Sequence, residues 1–262
     1  QAIETAYVGL KSPVEELKLL EITQGESGNS HTSFELLADL AVDFSIRHAI
    51  GVRDPLASKH PWYVLMELSS PRDDARDALE SILSKGMEEG IVDDAVIAAN
   101  LSQRQSFWKL RDEMSAAQKP EGGSIKHDIS VPVAAMPAFI AEANAAVMKL
   151  IPGSRPVPFG HLGDGNIHYN VSQPVGGSSA DFMARWHDVN KVVFDMRRLG
   201  NTGLAQYVSD AVLRGTQNGA HTLTLPEARQ IAEKAVEEYL FPTEPMYRDQ
   251  PSPRIGLFQT ID

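Results

Sequence analysis

Phe159-Gly-His161-Leu-Gly-Asp164-Gly-Asn166-Ile-His168-Tyr-Asn170 reads as a strand, a tight turn and a returning strand. With residues 163–166 as the loop, Leu162 opposes Ile167 and His161 opposes His168, so both imidazoles leave one face of the ribbon. Directly opposed Cβ atoms lie about 4.5–5.5 Å apart, close enough for two rings to reach one metal ion. Period two adds Asn170 to that face and sends Tyr169 and Val171 to the other. A Gly-rich turn also tolerates two exposed histidines with no metal at all, so the pair takes its meaning from what surrounds it.

Outward from this hairpin, β-rich runs at 5–9, 62–68, 92–98 and 125–133 are spaced among helical patterns at 14–20, 73–89, 101–118 and 137–150. Short and long connections are mixed. The economical architecture is therefore α+β, an antiparallel sheet with helices packed on one face. Near Gly200 the apolar pattern thins. It recovers only at Thr224, where Thr224 and Glu227 form a capping box around Pro226 for a helix ending near Leu240, before Pro242 and Pro245. The expected layout is a domain over residues 1–199 and a helical C-terminal appendage over 200–262.

Composition narrows the chemistry. The chain has 262 residues, 24 basic against 35 acidic, and a formal charge of -11, with no basic stripe to neutralise phosphates, so nucleic acid is not an expected partner. There are no cysteines, which leaves histidine, carboxylates and other oxygen donors as the available metal ligands. Neither an apolar run of membrane-spanning length nor a secretory leader is evident. A chain that opens on Gln1 rather than Met is what a fragment or a processed product would show.

Upstream, Arg111 and Ser115 fall four residues apart on the helical pattern 101–118 and share a face, with Trp108 one turn earlier. On the following strand Lys126, Asp128 and Ser130 alternate with apolar Ile125, Ile129 and Val131. An arginine, a lysine and a hydroxyl aimed into one pocket would clamp a carboxylate. Taken singly, Arg111 and Lys126 are more simply solvated surface charges.

The hairpin 159–170, together with Pro-Trp-Tyr-Val-Leu-Met-Glu-Leu-Ser-Ser at 61–70 and Lys-Pro-Glu-Gly-Gly-Ser-Ile-Lys-His-Asp at 119–128, resembles the C-terminal substrate or cap domain of the FAD-linked oxidases. Within that family it resembles the D-2-hydroxyglutarate and D-lactate dehydrogenases. The resemblance extends to about Leu199. It implies that His161 and His168 bind a divalent metal, zinc or manganese, and that one of them, His168 by preference, takes the substrate's hydroxyl proton. It also implies that Arg111, Ser115, Lys126 and Asn170 contact a small 2-hydroxy acid. A separate flavin-binding domain would hold the FAD that receives the hydride. The implied localisation is cytoplasmic, or mitochondrial in a eukaryote.

After Arg198-Leu199-Gly200 the family continues into a Ser-x-Glu-His-Gly-x-Gly segment with an acidic metal ligand, whereas this chain reads Asn201-Thr-Gly-Leu-Ala-Gln-Tyr207. Two histidines fall short of the three protein ligands usual in catalytic sites, leaving Asp128, Asp164 or a tail residue to complete the set. Three readings follow. The chain is the substrate- and metal-binding portion of a FAD-dependent D-2-hydroxyacid dehydrogenase, a non-catalytic carboxylate-binding fragment or relic, or, last, an unrelated metal hydrolase.

Overall fold

In the computed structural model the described residues are 2–71 and 74–196, all within the compact unit Gln1–Thr202. The appendage expected over 200–262, with its helix, lies outside them. Eight strands form one antiparallel sheet: β1 (Ala2–Leu10), β2 (His31–Ala38), β3 (Trp62–Ser70), β4 (Asp94–Ile97), β5 (Ser124–Ile125), β6 (Asp128–Ser130), β7 (Arg155–His161) and β8 (Asn166–Ser172). The order is β4-β1-β3-β2-β7-β8-β5, and β6 also pairs with β8. The helices include α1 (Pro13–Ser27), α2 (Asp39–His48), α3 (Ala75–Glu88), α4 (Leu101–Asp112), α5 (Met136–Leu150) and α6 (Ser179–Ala184), and residues 186–196 are helical as well.

The antiparallel α+β class matches the sequence reading, and α1, α3 and α5 do cover one face. Their Leu19, Leu20, Leu79, Ile82, Phe139 and Ile140 pack on Ala6, Val8, Leu36, Val64, Met66 and Tyr169. The opposite face is covered as well, by α2 and α4, whose Val42, Phe44, Phe107 and Leu110 pack on Tyr7, Leu37, Leu65 and Phe159. Each such large apolar side chain contributes about 1.5–3 kcal/mol on burial, enough to hold a short helix against the sheet. The cue was in β3: Tyr63, Val64, Leu65 and Met66 are all buried, and an unbroken apolar run of this kind belongs to a strand with cover on both faces.

β2 escaped the sequence reading. It runs straight into α2 with no glycine or proline between them. Phe34, Leu37, Ala41 and Phe44 then recur at helical spacing, so strand and helix read as one segment. Elsewhere the punctuation is explicit. Ser12 caps α1, accepting from Val14 N at 3.2 Å ahead of Pro13, and Asn100 caps α4, accepting from Gln103 N at 3.0 Å.

Residues 133–150, which include α5, are long and apolar enough to cross a membrane by length and composition, a run the sequence reading had not marked. Met136, Phe139, Ile140, Ala143 and Val147 face the sheet core, which gives that run a role as a core helix.

Glu16 on α1 is fully buried, and neither carboxyl oxygen has a hydrogen-bond partner among the described residues. Burial, with a smaller contribution from Glu15, pushes its carboxyl well above the ordinary range. The unfolded carboxyl ionises near pH ~4.3, so this group's contribution to stability is complete below that pH and is lost as pH rises through the higher folded value. Glu16→Leu is expected to stabilise the fold by about 1–3 kcal/mol near neutral pH, with a smaller gain at pH ~4. Thermal melts of both proteins at the two pH values test this, and an equal or opposite pH trend would contradict it.

Candidate active site

The hairpin predicted from residues 159–170 forms, with its register shifted. A single 3-10 turn over Leu162–Asp164 and left-handed Gly165 make the loop, so His161 pairs with Asn166, and His168 with Phe159. The shift is two residues, an even number, so both imidazoles keep the same face. They meet diagonally, with ring centroids 5.8 Å apart. The loop closes differently because Asp164 Oδ1 accepts from Asn166 N at 3.0 Å, while Gly165 O accepts from Val131 N at 3.0 Å and ties the turn to the end of β6.

The residue that organises this face is Glu35, on the strand the sequence reading missed. It lies directly opposite His161 in the β2–β7 register and is 3% exposed. Its Oε1 is 2.5 Å from His161 Nδ1, and its Oε2 accepts from Arg111 Nε at 2.8 Å. The Arg111 guanidinium also lies over the Phe159 ring, 5.5 Å from its centroid. One buried carboxylate thus joins β2, β7 and α4 at a single point. A lone acid inside the apolar run Phe34-Glu35-Leu36-Leu37 was the available signal, since a buried carboxylate requires partners.

A second anchor runs parallel to the first. Glu67 Oε2 accepts from Trp108 Nε1 at 3.0 Å and from Thr5 Oγ1 at 3.0 Å. Trp108 and Arg111 are one turn apart, so two acids on the sheet hold the same side of α4.

The predicted Arg111–Ser115 face is not helical. α4 ends at Asp112, and Met114 N bonds to Arg111 O in a tighter turn that carries Ser115 out of the helical repeat. Ser115 instead meets Lys126, whose Nζ donates to Ser115 Oγ at 2.8 Å and to Ser115 O at 2.9 Å. Burial, then neighbouring Lys119, lowers the Lys126 pKa. The polar alternation of Lys126, Asp128 and Ser130 is present, interrupted by a break between β5 and β6. There buried His127 places Nδ1 2.7 Å from Tyr169 O.

His168 is opposed by Asp128 in register, with its Nδ1 3.9 Å from Asp128 Oδ1, beyond hydrogen-bond reach. Asp128 Oδ1 instead accepts from Asn166 Nδ2 at 2.8 Å. Burial is the main cause of a lowered His168 pKa; Asp128 opposes it, and Arg111 and His161 add to it. The shift favours the neutral ring, the form a proton acceptor or a metal ligand needs. Asn170 is buried on the same strand face, opposite Val157.

The two imidazoles suit a divalent ion in type, but among the described residues no group of three or more histidines and acids could hold one. Asp164, considered as a further ligand, sits in the turn and accepts from Asn166 N. The described donors do not complete a three-ligand metal site.

The family model described as FAD linked oxidases, C-terminal domain, matches residues 1–199. The chain belongs to that family. Similar curated proteins include the D-2-hydroxyglutarate dehydrogenase of Xanthomonas citri pv. viticola, 36% identical over 161 residues, which cover 62% of this chain and 34% of that protein. The mitochondrial D-2-hydroxyglutarate dehydrogenase of Arabidopsis thaliana is 32% identical over 172 residues, covering 65% of this chain and 30% of its own. This FAD-linked oxidase domain therefore spans about a third of the length of the curated relatives it matches. Among solved structures, p-cresol methylhydroxylase with substrate bound covers 80% of this chain and 44% of its own, at 9% identity and a TM-score of 0.49.

Proposed function

We propose that this chain is the substrate side of a FAD-dependent D-2-hydroxyacid dehydrogenase, and that D-2-hydroxyglutarate is the substrate to test first. The carrying observation is the convergence at Glu35, which sets a guanidinium and an imidazole next to a second imidazole. The names of its relatives and the family's link to FAD support the same reading. By the same analogy the working location is the cytoplasm, or the mitochondrion in a eukaryote.

In this reading FAD, held by a separate domain, would supply the acceptor for the hydride of C2 of the hydroxy acid. The rest falls to this chain. Arg111 holds one carboxylate through its terminal nitrogens, since Nε is taken by Glu35. Lys126 has one N–H beyond the two given to Ser115, and it meets the second carboxylate of a dicarboxylic substrate. Asn170 lies two residues from His168 on the same strand face, and neutral His168 accepts the hydroxyl proton. Zinc or manganese would rest on His161 and His168, and since an ion on His168 would take the lone pair that otherwise accepts the proton, the two roles of His168 are alternatives. No step is assigned to the ion.

Titration calorimetry of D-2-hydroxyglutarate into this chain, with and without manganese or zinc, tests the reading. Saturable binding should weaken at least ~10-fold in His168→Ala. Absence of any saturable binding would overturn the proposal, and binding indifferent to metal would remove the ion from it. The incomplete donor set favours one alternative, a module that holds the hydroxy acid without turnover. Flavin reduction by D-2-hydroxyglutarate in a protein that carries both domains separates the two.

A further inference from the structure

We propose that Glu35 is a positioning residue that decides which nitrogen of His161 faces the substrate and how Arg111 presents its charge. The argument rests on hydrogen-bond bookkeeping around one buried side chain. Glu35 is paired with a guanidinium at 2.8 Å, and a carboxylate in such a pair offers acceptors only. The 2.5 Å contact to His161 Nδ1 therefore requires a proton on Nδ1, which in the neutral ring leaves Nε2 bare. A neutral imidazole held in this way keeps its lone pair on Nε2, the nitrogen not engaged by Glu35, on a partly exposed ring 5.8 Å from that of His168. A ring free to exchange tautomers would offer an acceptor there only part of the time.

The same carboxylate settles Arg111. It engages Nε and not the terminal fork, and buried Nη2 has no hydrogen-bond partner among the described residues. Phe159 beneath the guanidinium and Glu35 beside it fix its plane. The end of the arginine that suits a carboxylate is thus left for a ligand. His168 has no such clamp, since Asp128 stands 3.9 Å away. The two histidines are therefore unequal: His161 is orientationally locked, and His168 is the freer ring that can follow a proton.

The inference deepens the proposed substrate-side role, and its test is independent of any ligand. In the 262-residue chain, side-chain 15N spectra would assign the His161 tautomer, with His161→Gln identifying the signal. The Nδ1–H form is expected to outweigh the other by at least ~10 to 1, as a hydrogen bond to an ionised group implies. Glu35→Gln keeps the shape but offers one acceptor and one donor where two acceptors stood. Arginine keeps its charge and claims the oxygen, so the amide N–H faces Nδ1 and drives the proton to Nε2. Should the amide turn the other way, the Arg111 Nε–H loses its acceptor, and its exchange with water should speed by at least ~10-fold. Glu35→Asp retains two acceptors and should keep the wild-type tautomer.

A wild-type His161 that carries its proton on Nε2 would overturn the proposal without any variant. So would a Glu35→Gln protein in which both the tautomer and the Arg111 Nε–H exchange are unchanged. Failure of D-2-hydroxyglutarate to bind would count against the proposed function and leave these signals as they are.

Discussion

Arg111→Ala is expected to weaken D-2-hydroxyglutarate binding by about 30- to 150-fold, the equivalent of ~2–3 kcal/mol for a charge-assisted contact in a mostly buried setting. Two losses act together. The substrate carboxylate loses its planar donor, and Glu35 is left as a buried carboxylate with only His161 to answer it. Breaking one side of a buried pair costs about 3–5 kcal/mol of stability, so the variant should also melt lower. Arg111→Lys separates the effects. A lysine can neutralise Glu35 or meet the ligand, but it lacks the geometry to do both, so stability should recover more than affinity. Calorimetry and thermal melts on the three proteins decide the matter. Affinity unchanged in Arg111→Ala would remove Arg111 from the site.

Gly165→Ala should be among the most damaging small substitutions in the fold, at about 2–5 kcal/mol, or roughly 4–20 °C in melting temperature. Gly165 has φ +77°, and an added Cβ would stand 2.2 Å from the backbone oxygen of Val131. That oxygen cannot swing aside, because Val131 N is bound to Gly165 O and the preceding residues of β6 are paired with β8. Relief would require the turn to move, and His161 and His168 move with it. Circular dichroism melts provide the check. A melting temperature within about 1 °C of wild type would mean that the turn is not built this way.

Much of the site was legible in the order of residues. Alternation alone put His161, His168 and Asn170 on one face and Lys126 with Asp128 on another polar edge, because a strand's period of two survives a register shift by an even number. The glycines around Asp164 announced the turn. The contact between the two imidazoles could not be read in detail, since whether they oppose directly or diagonally depends on how the turn closes against Val131.

By itself the sequence determined the antiparallel α+β class, the hairpin and its polar face, and the family motifs. All of these rest on local patterns a few residues long. Only the tertiary structure decided that helices cover both faces of the sheet, that Ser115 turns away from Arg111 to Lys126, and that Glu35 stands between Arg111 and His161. Glu35 is separated from them by 76 and 126 positions. No local periodicity encodes such a meeting. It arises when strands β2 and β7 pair side by side and α4 packs across them, which places one buried acid where two distant donors must satisfy it.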